Sequence, residues 1–235
     1  MNKTGISWTD YTWNPVTGCT KVSEGCKFCY AEAWSKRWGR SFEPTFHEKK
    51  LKQVRTIPAG SKVFVNSMSD LFHEKISFAD INAVFNAIRN RSDVVFQILT
   101  KRPERALEYT QKYHNIPINA WMGVSVESGK YNYRIDILRE IPAIYRFVSF
   151  EPLIGPVTPV NLTKINWIII GGESGPHHRP MDIEWARNLV KEAKEQNVAV
   201  WMKQLGGLYP GGNLKDFPED LRLREFPDGV TRVVK

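Results

Sequence analysis

The chain alternates between short apolar runs rich in β-branched residues and longer stretches in which apolar residues recur at helical spacing. Runs of the first kind predict buried strands, and stretches of the second kind predict helices with one buried face. The predicted helices cover residues 31–38, 78–89, 103–113, 131–141 and 183–196. The predicted strands cover residues 63–65, 94–99, 121–126, 147–150, 167–170 and 198–202, and an earlier strand lies within residues 6–16.

The order of these elements predicts an α/β fold. The strands are apolar throughout, which is typical of strands buried on both faces, and strands that alternate with helices form a parallel sheet. Six or seven such units predict a full or partial TIM-like βα barrel, built by residues 1–235 as one domain. An open doubly wound sheet is the alternative. We expect the Gly- and Pro-rich tail, residues 206–235, to be an irregular extension or lid.

Polar residues follow one predicted strand after another. In parallel barrels, chemistry is located at the C-terminal ends of the strands. A charged residue after one strand is ordinary loop solvation, but polar residues after successive strands predict a polar pocket. The members of this set are Asn66, Ser67, Asp70, Ser125, Glu127, Glu151, Glu173 and Lys203.

Three of these residues, Glu151, Glu173 and Lys203, are the candidate catalytic groups. Pro152 keeps the backbone at Glu151 extended and so aims its carboxylate. Lys203 closely follows an apolar strand, where it could pair with Glu173 or Glu151 or hold an anionic substrate. This set supports one hypothesis for the function, a barrel hydrolase or lyase in which the cysteine segment serves only as scaffold.

The three cysteines of the chain, Cys19, Cys26 and Cys29, all lie in one short segment. They make a poor disulfide framework but a good metal site with one coordination position left open. The positive end of the helix predicted to begin after Cys29 favours thiolate over thiol. Residues 11–40 are therefore predicted to form a metal-binding loop and helix.

Two metals fit the cysteine pattern. A 4Fe–4S cluster would use three thiolates and leave one iron open. A structural zinc would need a fourth protein ligand, for which His47 is the nearest candidate. The pattern of residues leaves both metals possible.

Charge and composition indicate which compartment the protein occupies and which kind of partner it binds. The net charge of +8 favours a polyanionic partner such as nucleic acid or a nucleotide, although solubility also accounts for it. No apolar run approaches the roughly 20 residues that cross a bilayer, and no secretory core follows the N-terminus. We therefore expect a cytoplasmic protein without a membrane partner, in a compartment that keeps thiols reduced.

The segment Cys26-Lys27-Phe28-Cys29 resembles the radical S-adenosylmethionine superfamily. In that superfamily three cysteines lie in a loop after the first strand of a partial βα barrel, and an aromatic residue commonly precedes the third. The resemblance implies a 4Fe–4S cluster held by Cys19, Cys26 and Cys29. The fourth iron would bind the amino and carboxylate groups of S-adenosylmethionine.

The same resemblance assigns cofactor-binding positions at two strand ends. Residues 66–70, which include Asn66, Ser67 and Asp70, would receive the methionine amino group. Ser125 and Glu127 would contact the ribose. The spacing between the first two cysteines is six residues here, whereas the superfamily usually has three.

Five further segments are similar to a phage-associated three-Cys-motif family of undetermined function. This resemblance covers nearly the whole chain, and it implies a phage or mobile-element context and a nucleic-acid or nucleotide substrate. The three-Cys-motif partner protein, often encoded beside such members, becomes a possible partner. The segments lie at residues 12–19, 66–72, 99–103, 149–153 and 171–175.

Three functions remain open on the sequence. The leading hypothesis is an iron–sulfur enzyme of radical S-adenosylmethionine type that acts on nucleic acid or a nucleotide. The second is a nucleic-acid-binding module with a structural zinc or iron–sulfur centre, favoured by the basic balance and by the aromatic residues around the cysteines. The third is the hydrolase or lyase described above.

Overall fold

The computed structural model describes residues 3–114 and 116–227. Seven strands form one sheet in which every neighbouring pair is parallel. Their order in the sheet follows their order along the chain. The strands are β1 (Tyr11–Trp13), β4 (Lys62–Val65), β5 (Val95–Thr100), β6 (Ala120–Ser125), β7 (Arg146–Phe150), β8 (Trp167–Gly171) and β9 (Ala199–Gln204).

The predicted helices are present with small shifts at their ends. Ser77 begins α2 by accepting a hydrogen bond from the Asp80 amide, and Asp182 begins α5 by accepting one from the Glu184 amide. Pro103 stands at the first turn of α3, where a missing amide hydrogen has no cost. The helices are α1 (Tyr30–Arg37), α2 (Phe78–Arg89), α3 (Pro103–Tyr113), α4 (Tyr133–Glu140) and α5 (Ile183–Glu195).

The sheet is a curled half-barrel. Because each strand pairs with the next along the chain, the connections do not reverse, and this excludes the doubly wound alternative. Within the described residues no ladder joins β1 to β9, so the barrel is partial rather than closed. The prediction of an α/β fold with a parallel sheet is confirmed.

Alternate residues of the strands serve two separate cores. Residues such as Val63, Ile98 and Val148 belong to the large core that also contains the buried faces of the helices. The residues between them point to the inner side of the half-barrel, where a second core is mostly aromatic. Its members are Trp8, Phe64, Trp121, Phe147, Trp167, Ile169 and Trp201.

Along the strands, the inner face changes from large aromatic residues to small or polar ones. On β6 the series is Trp121, Gly123 and Ser125, and on β7 it begins with Phe147 and Ser149. A Cβ atom at Gly123 would lie 2.5 Å from the Phe147 ring, so the aromatic layer needs glycine there. The aromatic layer fills the half of the barrel at the N-terminal ends of the strands and leaves space at their C-terminal ends.

Segments from both ends of the chain cover the open side of the half-barrel. Trp8 packs edge-on against Trp167, and the Trp201 Nε1 donates to the Ser7 hydroxyl at 3.1 Å. Arg224 pairs antiparallel with Trp201. The expected irregular tail therefore contains an ordered part, and residues 228–235 of that tail lie outside the described residues.

Two local elements were not predicted from the sequence. The strands β2 (Val16–Thr17) and β3 (Thr45–Phe46) form a small antiparallel sheet that closes the segment containing the cysteines. A 3-10 helix spans Glu48–Thr56 and packs against α2. Among the described residues, no helix combines the length and apolar character needed to cross a membrane.

Gly123→Ala should destabilise the protein by about 1–3 kcal/mol, because its methyl group would overlap the buried Phe147 ring. Urea unfolding followed by tryptophan fluorescence measures the change. Gly5→Ala is the matched control, since a Cβ there has nothing within 4 Å. Equal stability of the two variants would contradict the packing described for the inner face.

Candidate functional site

A cavity of about 650 Å³ opens at the C-terminal ends of the strands. This volume is in the range of small-molecule and cofactor sites. All three cysteines line it, and so do the ends of β4 to β9. Of the predicted site residues, the cavity walls contain Cys19, Cys26, Cys29, Asn66, Ser67, Asp70, Ser125, Glu151, Glu173 and Lys203.

The cysteine loop, residues 18–29, reaches the cavity because two glycines allow close backbone approach. Gly18 has a φ of 82°, and a Cβ atom there would lie 2.2 Å from the Glu43 carbonyl oxygen. A Cβ atom at Gly25 would lie 2.4 Å from the Glu127 side chain. Each glycine directly precedes a cysteine, so the two close contacts fix where Cys19 and Cys26 enter the cavity wall.

Arg102, a buried residue just after β5, anchors the start of the cysteine loop. Its guanidinium donates to the Thr20 carbonyl and hydroxyl oxygens at 3.1 and 3.0 Å and lies 3.6 Å from the Cys19 Sγ. It also pairs with Asp70 and Glu74 at 3.5 and 2.9 Å. Asp70 in turn accepts from the Thr100 hydroxyl at 2.7 Å. The end of β5 therefore holds Cys19 in place.

Burial and the Asp70 carboxylate raise the pKa of the Cys19 thiol to about 11, although Arg102 opposes the shift. The metal-free thiol is thus protonated at neutral pH. A bound cation would have to displace the proton, as ligation by thiolate requires.

The described cavity walls hold three thiols and no histidine. Among the described residues, no group of three or more His, Cys, Asp or Glu side chains, the three cysteines included, is gathered around one point as a metal site would be. His47, the candidate fourth zinc ligand, bonds Thr17 at 2.7 Å and does not line the cavity. In residue type, three thiols at one cavity match the ligands of a 4Fe–4S cluster with one open iron, but the side chains are not gathered around a common point in this structure.

Asn66 ends β4 in a left-handed conformation, with a φ of 60°. Its Oδ1 accepts from the Val16 amide at 3.2 Å, which fixes the orientation of the side-chain amide. Its Nδ2 is buried without a hydrogen-bond partner, although the residue lines the cavity. A buried donor without a partner is costly, and a left-handed non-glycine residue is strained, so both features point to a ligand acceptor at this place.

Glu127 lies in the wall rather than in the cavity. It is fully buried, and its Oε1 accepts from Lys101 at 2.8 Å and from the Ser23 hydroxyl at 2.7 Å. Its Oε2 pairs with Arg134 at 2.9 Å. Burial would raise the pKa of Glu127, but Lys101 and Arg134 outweigh it and hold the pKa below its ordinary value. The ribose contact expected of Glu127 does not fit this placement, because both carboxylate oxygens are engaged within the protein.

The three candidate catalytic residues separate into a pair and a single residue. Lys203 donates to Glu151, and both line the cavity. Glu173 instead accepts two hydrogen bonds from the Arg179 guanidinium and one from its amide. Burial acts to raise the pKa of Glu173, but the Arg179 contacts hold it below the ordinary value. Glu173 therefore fixes the loop up to Arg179, and Lys203 pairs with Glu151.

Gly172, just after β8, allows two loops to pack closely beside the cavity. A Cβ atom at Gly172 would lie 2.4 Å from the Leu205 carbonyl oxygen, so the loops after β8 and β9 touch there. The two histidines of the next loop do not line the cavity. His178 bonds the Gly175 carbonyl at 2.8 Å, and the His177 ring lies 5.8 Å from the Phe28 ring.

Sequence reasoning missed the residues that hold the site together. Lys101 and Arg102 were visible as polar strand ends, but their partners were not. The signal for the cysteine loop was present, because glycine directly precedes two of the three cysteines. The missed supporting residues are Gly18, Ser23, Gly25, Arg134 and Arg179.

One family model matches residues 3–224 of the chain, and its description is "Protein of unknown function (DUF5131)". Because the match covers nearly the whole chain, the protein belongs to this family. No curated protein and no solved structure matches the chain significantly. The phage association and the relation to radical S-adenosylmethionine enzymes stay predictions.

Glu127→Gln should lower the free energy of unfolding at neutral pH by about 3 kcal/mol, because two buried cations lose their counter-charge. It should also flatten the decline of stability in acid. In the wild type the unfolded state takes up this proton first, near pH 4.3, so stability falls from there until the folded carboxylate protonates.

Urea unfolding between about pH 3 and 7 measures both effects. Glu140→Gln, at an exposed glutamate on α4, is the matched control and should leave the pH dependence as in the wild type. An unchanged acid dependence in Glu127→Gln would contradict the role of this carboxylate.

Proposed function

We propose that this protein is an iron–sulfur enzyme that binds S-adenosylmethionine in the barrel cavity. The observation that carries the proposal is the coincidence of three thiols and one unpartnered buried amide on the walls of the same cavity. The thiols leave a metal coordination position open, and the amide offers a donor to a ligand acceptor. When bound and reduced, such a cluster supplies the electron that cleaves the sulfonium to a 5′-deoxyadenosyl radical.

Cys19, Cys26 and Cys29 would hold the cluster. Contacts to several parts of the barrel set the position of the loop. The Gly18 amide donates to the Met68 carbonyl and the Cys19 amide to the Phe42 carbonyl, both at 3.1 Å, and further contacts run through Arg102 and Glu127. These contacts would keep the three thiols at the cavity.

The end of β4 would bind the amino-acid part of the cofactor. The Asn66 Nδ2 is a donor, so it would meet the carboxylate or another acceptor of the ligand rather than the ammonium group. Asp70 is a weaker candidate for a direct contact, because its Oδ1 accepts from the Phe72 amide and the Thr100 hydroxyl and its Oδ2 accepts from the Lys101 amide. Ser125, on the inner face of β6, would contact the ribose from the opposite side of the cavity.

The pair formed by Glu151 and Lys203 lies at the ends of β7 and β9, and both side chains line the cavity. We propose that it faces the substrate. Each member is about one-fifth exposed, so the pair remains accessible to a polar group entering the cavity. A carboxylate and an ammonium group in contact can orient a substrate hydroxyl or exchange a proton with it.

Anaerobic reconstitution should give broad absorbance from thiolate-to-iron charge transfer and about four irons per chain. Cys19→Ala, Cys26→Ala and Cys29→Ala should each lose most of the iron, because the cluster needs three thiolates and the described residues contain no further cysteine. Val22→Ala changes an exposed residue of the same loop and should keep the iron. Colourless protein with stoichiometric zinc would exclude the proposal.

Asn66→Asp should weaken S-adenosylmethionine binding by about tenfold or more, because it removes the donor while keeping the oxygen that bonds Val16. Calorimetry on the cluster-loaded protein measures the affinity. Asn161→Asp makes the same chemical change in an exposed amide away from the cavity, whose oxygen likewise accepts from a backbone amide, that of Thr163, and it should bind normally. Cluster-loaded wild type without any affinity, and without 5′-deoxyadenosine after reduction, would exclude the cofactor.

A further inference from the structure

Helix α1 presents a line of exposed aromatic side chains. Tyr30, Trp34 and Trp38 recur at four-residue spacing and are 57%, 44% and 61% exposed. We call these three residues the aromatic ridge. The opposite side of the helix, with Ala31 and Ser35, is buried against the protein. Exposed aromatic residues that occur singly need no explanation, but a contiguous line of them marks an interaction surface.

The ridge is bordered by positive charge. Residues 34–42 contain Lys36, Arg37 and Arg40 and no acidic residue. The Arg40 guanidinium lies 5.0 Å from the Trp34 ring centre, and the Trp38 ring centre lies 6.4 Å from it with the ring planes tilted by 52°. Lys36 pairs with Glu32 at 2.6 Å, so Arg37 and Arg40 supply most of the uncompensated charge beside the ridge.

The ridge leads into the cavity. Tyr30 lines the cavity, and its hydroxyl donates to the Ser67 carbonyl at the end of β4. From Tyr30 to Trp38 the helix rises by about 12 Å. A ligand lying along the ridge would therefore have one end at the cavity mouth, next to the cysteine loop.

We propose that the aromatic ridge binds single-stranded nucleic acid. Bases would stack on Trp34 and Trp38, Arg37 and Arg40 would contact phosphates, and a nucleotide beyond Tyr30 would enter the cavity. Binding is argued from the surface alone, whereas the role of the strand as substrate rests on the proposed function. Aromatic rings beside guanidinium groups match alternating bases and phosphates, the two chemistries that single strands display.

A duplex fits this surface less well, because its base faces are already stacked. An anionic membrane would also meet aromatic rings and positive charge. The ridge, however, is continuous with a cavity whose walls carry polar groups such as Ser67 and Glu151. Lipid acyl chains cannot form hydrogen bonds with these groups. A single-stranded nucleic acid fits both surfaces, because its bases can stack on the ridge and its polar groups can form hydrogen bonds in the cavity.

Fluorescence anisotropy with labelled single-stranded DNA and RNA of about twelve nucleotides tests the binding, beside a duplex of equal length. The single strands should bind more tightly than the duplex. Trp34→Ala combined with Trp38→Ala should weaken binding by about tenfold or more, and the corresponding double Phe variant should keep most of it. Arg37→Glu should weaken binding and lower the salt dependence.

Two matched controls separate the ridge from general surface effects. Tyr133 on α4 is 46% exposed and has the Arg134 guanidinium 5.9 Å from its ring centre, so Tyr133→Ala mirrors the loss of Trp34. Arg89 is the exposed last residue of α2, as Arg37 is of α1. Arg89→Glu is therefore the control for Arg37→Glu. Tyr133→Ala and Arg89→Glu should both bind as the wild type does, and thermal melting should show every variant folded.

Three outcomes would overturn the inference. The wild type would bind neither single strand, the ridge variants would bind as the controls do, or the duplex would bind as tightly as the single strands. Loss of binding to phosphatidylserine vesicles in the ridge variants, without oligonucleotide binding by the wild type, would assign the surface to a membrane. Oligonucleotide binding with the expected variant pattern supports the ridge even if the cluster-loaded protein releases no 5′-deoxyadenosine, a result that counts only against the proposed function.

Discussion

The buried carboxylate of Glu127 is the interaction on which the site depends. It connects Ser23 of the cysteine loop, Lys101 after β5 and Arg134 on α4 through contacts of 2.7 to 2.9 Å. A buried charge is tolerated only when it is paired and hydrogen-bonded, so these elements must come together for any of them to be stable. The position of the cysteines is thereby coupled to the folding of the barrel.

The distribution of side-chain volume inside the half-barrel explains why there is a cavity. Trp121, Phe147 and Trp167 fill the inner face near the strand starts, and Gly123 gives the Phe147 ring its place. Beyond this layer the inward-facing residues of β6 and β7, Ser125 and Ser149, are small and polar and leave the space open. The same period-two alternation places aliphatic residues outward under the helices, so one set of strands builds a dense outer core and a partly open interior.

Helix α1 connects the two proposed activities. Its N-cap is Cys29, and its first residue, Tyr30, lines the cavity. Its exposed side carries the aromatic ridge toward Trp38 and Arg40. The same short helix would therefore position both a cluster bound by the cysteine loop and a nucleic-acid strand bound on the aromatic ridge.

The sequence by itself determined the parallel α/β fold, the positions of the helices to within a few residues and the set of polar strand ends, because apolar periodicity and short-range capping are local properties. Only the tertiary structure decided that the barrel is open and that Trp8 and Arg224 cover its gap. It also decided that Glu173 pairs with Arg179, that Lys203 pairs with Glu151, and that Glu127 is sealed in the wall. Partners far apart in the chain are selected by distance and burial in the folded state, and neither quantity is encoded by residue type or spacing.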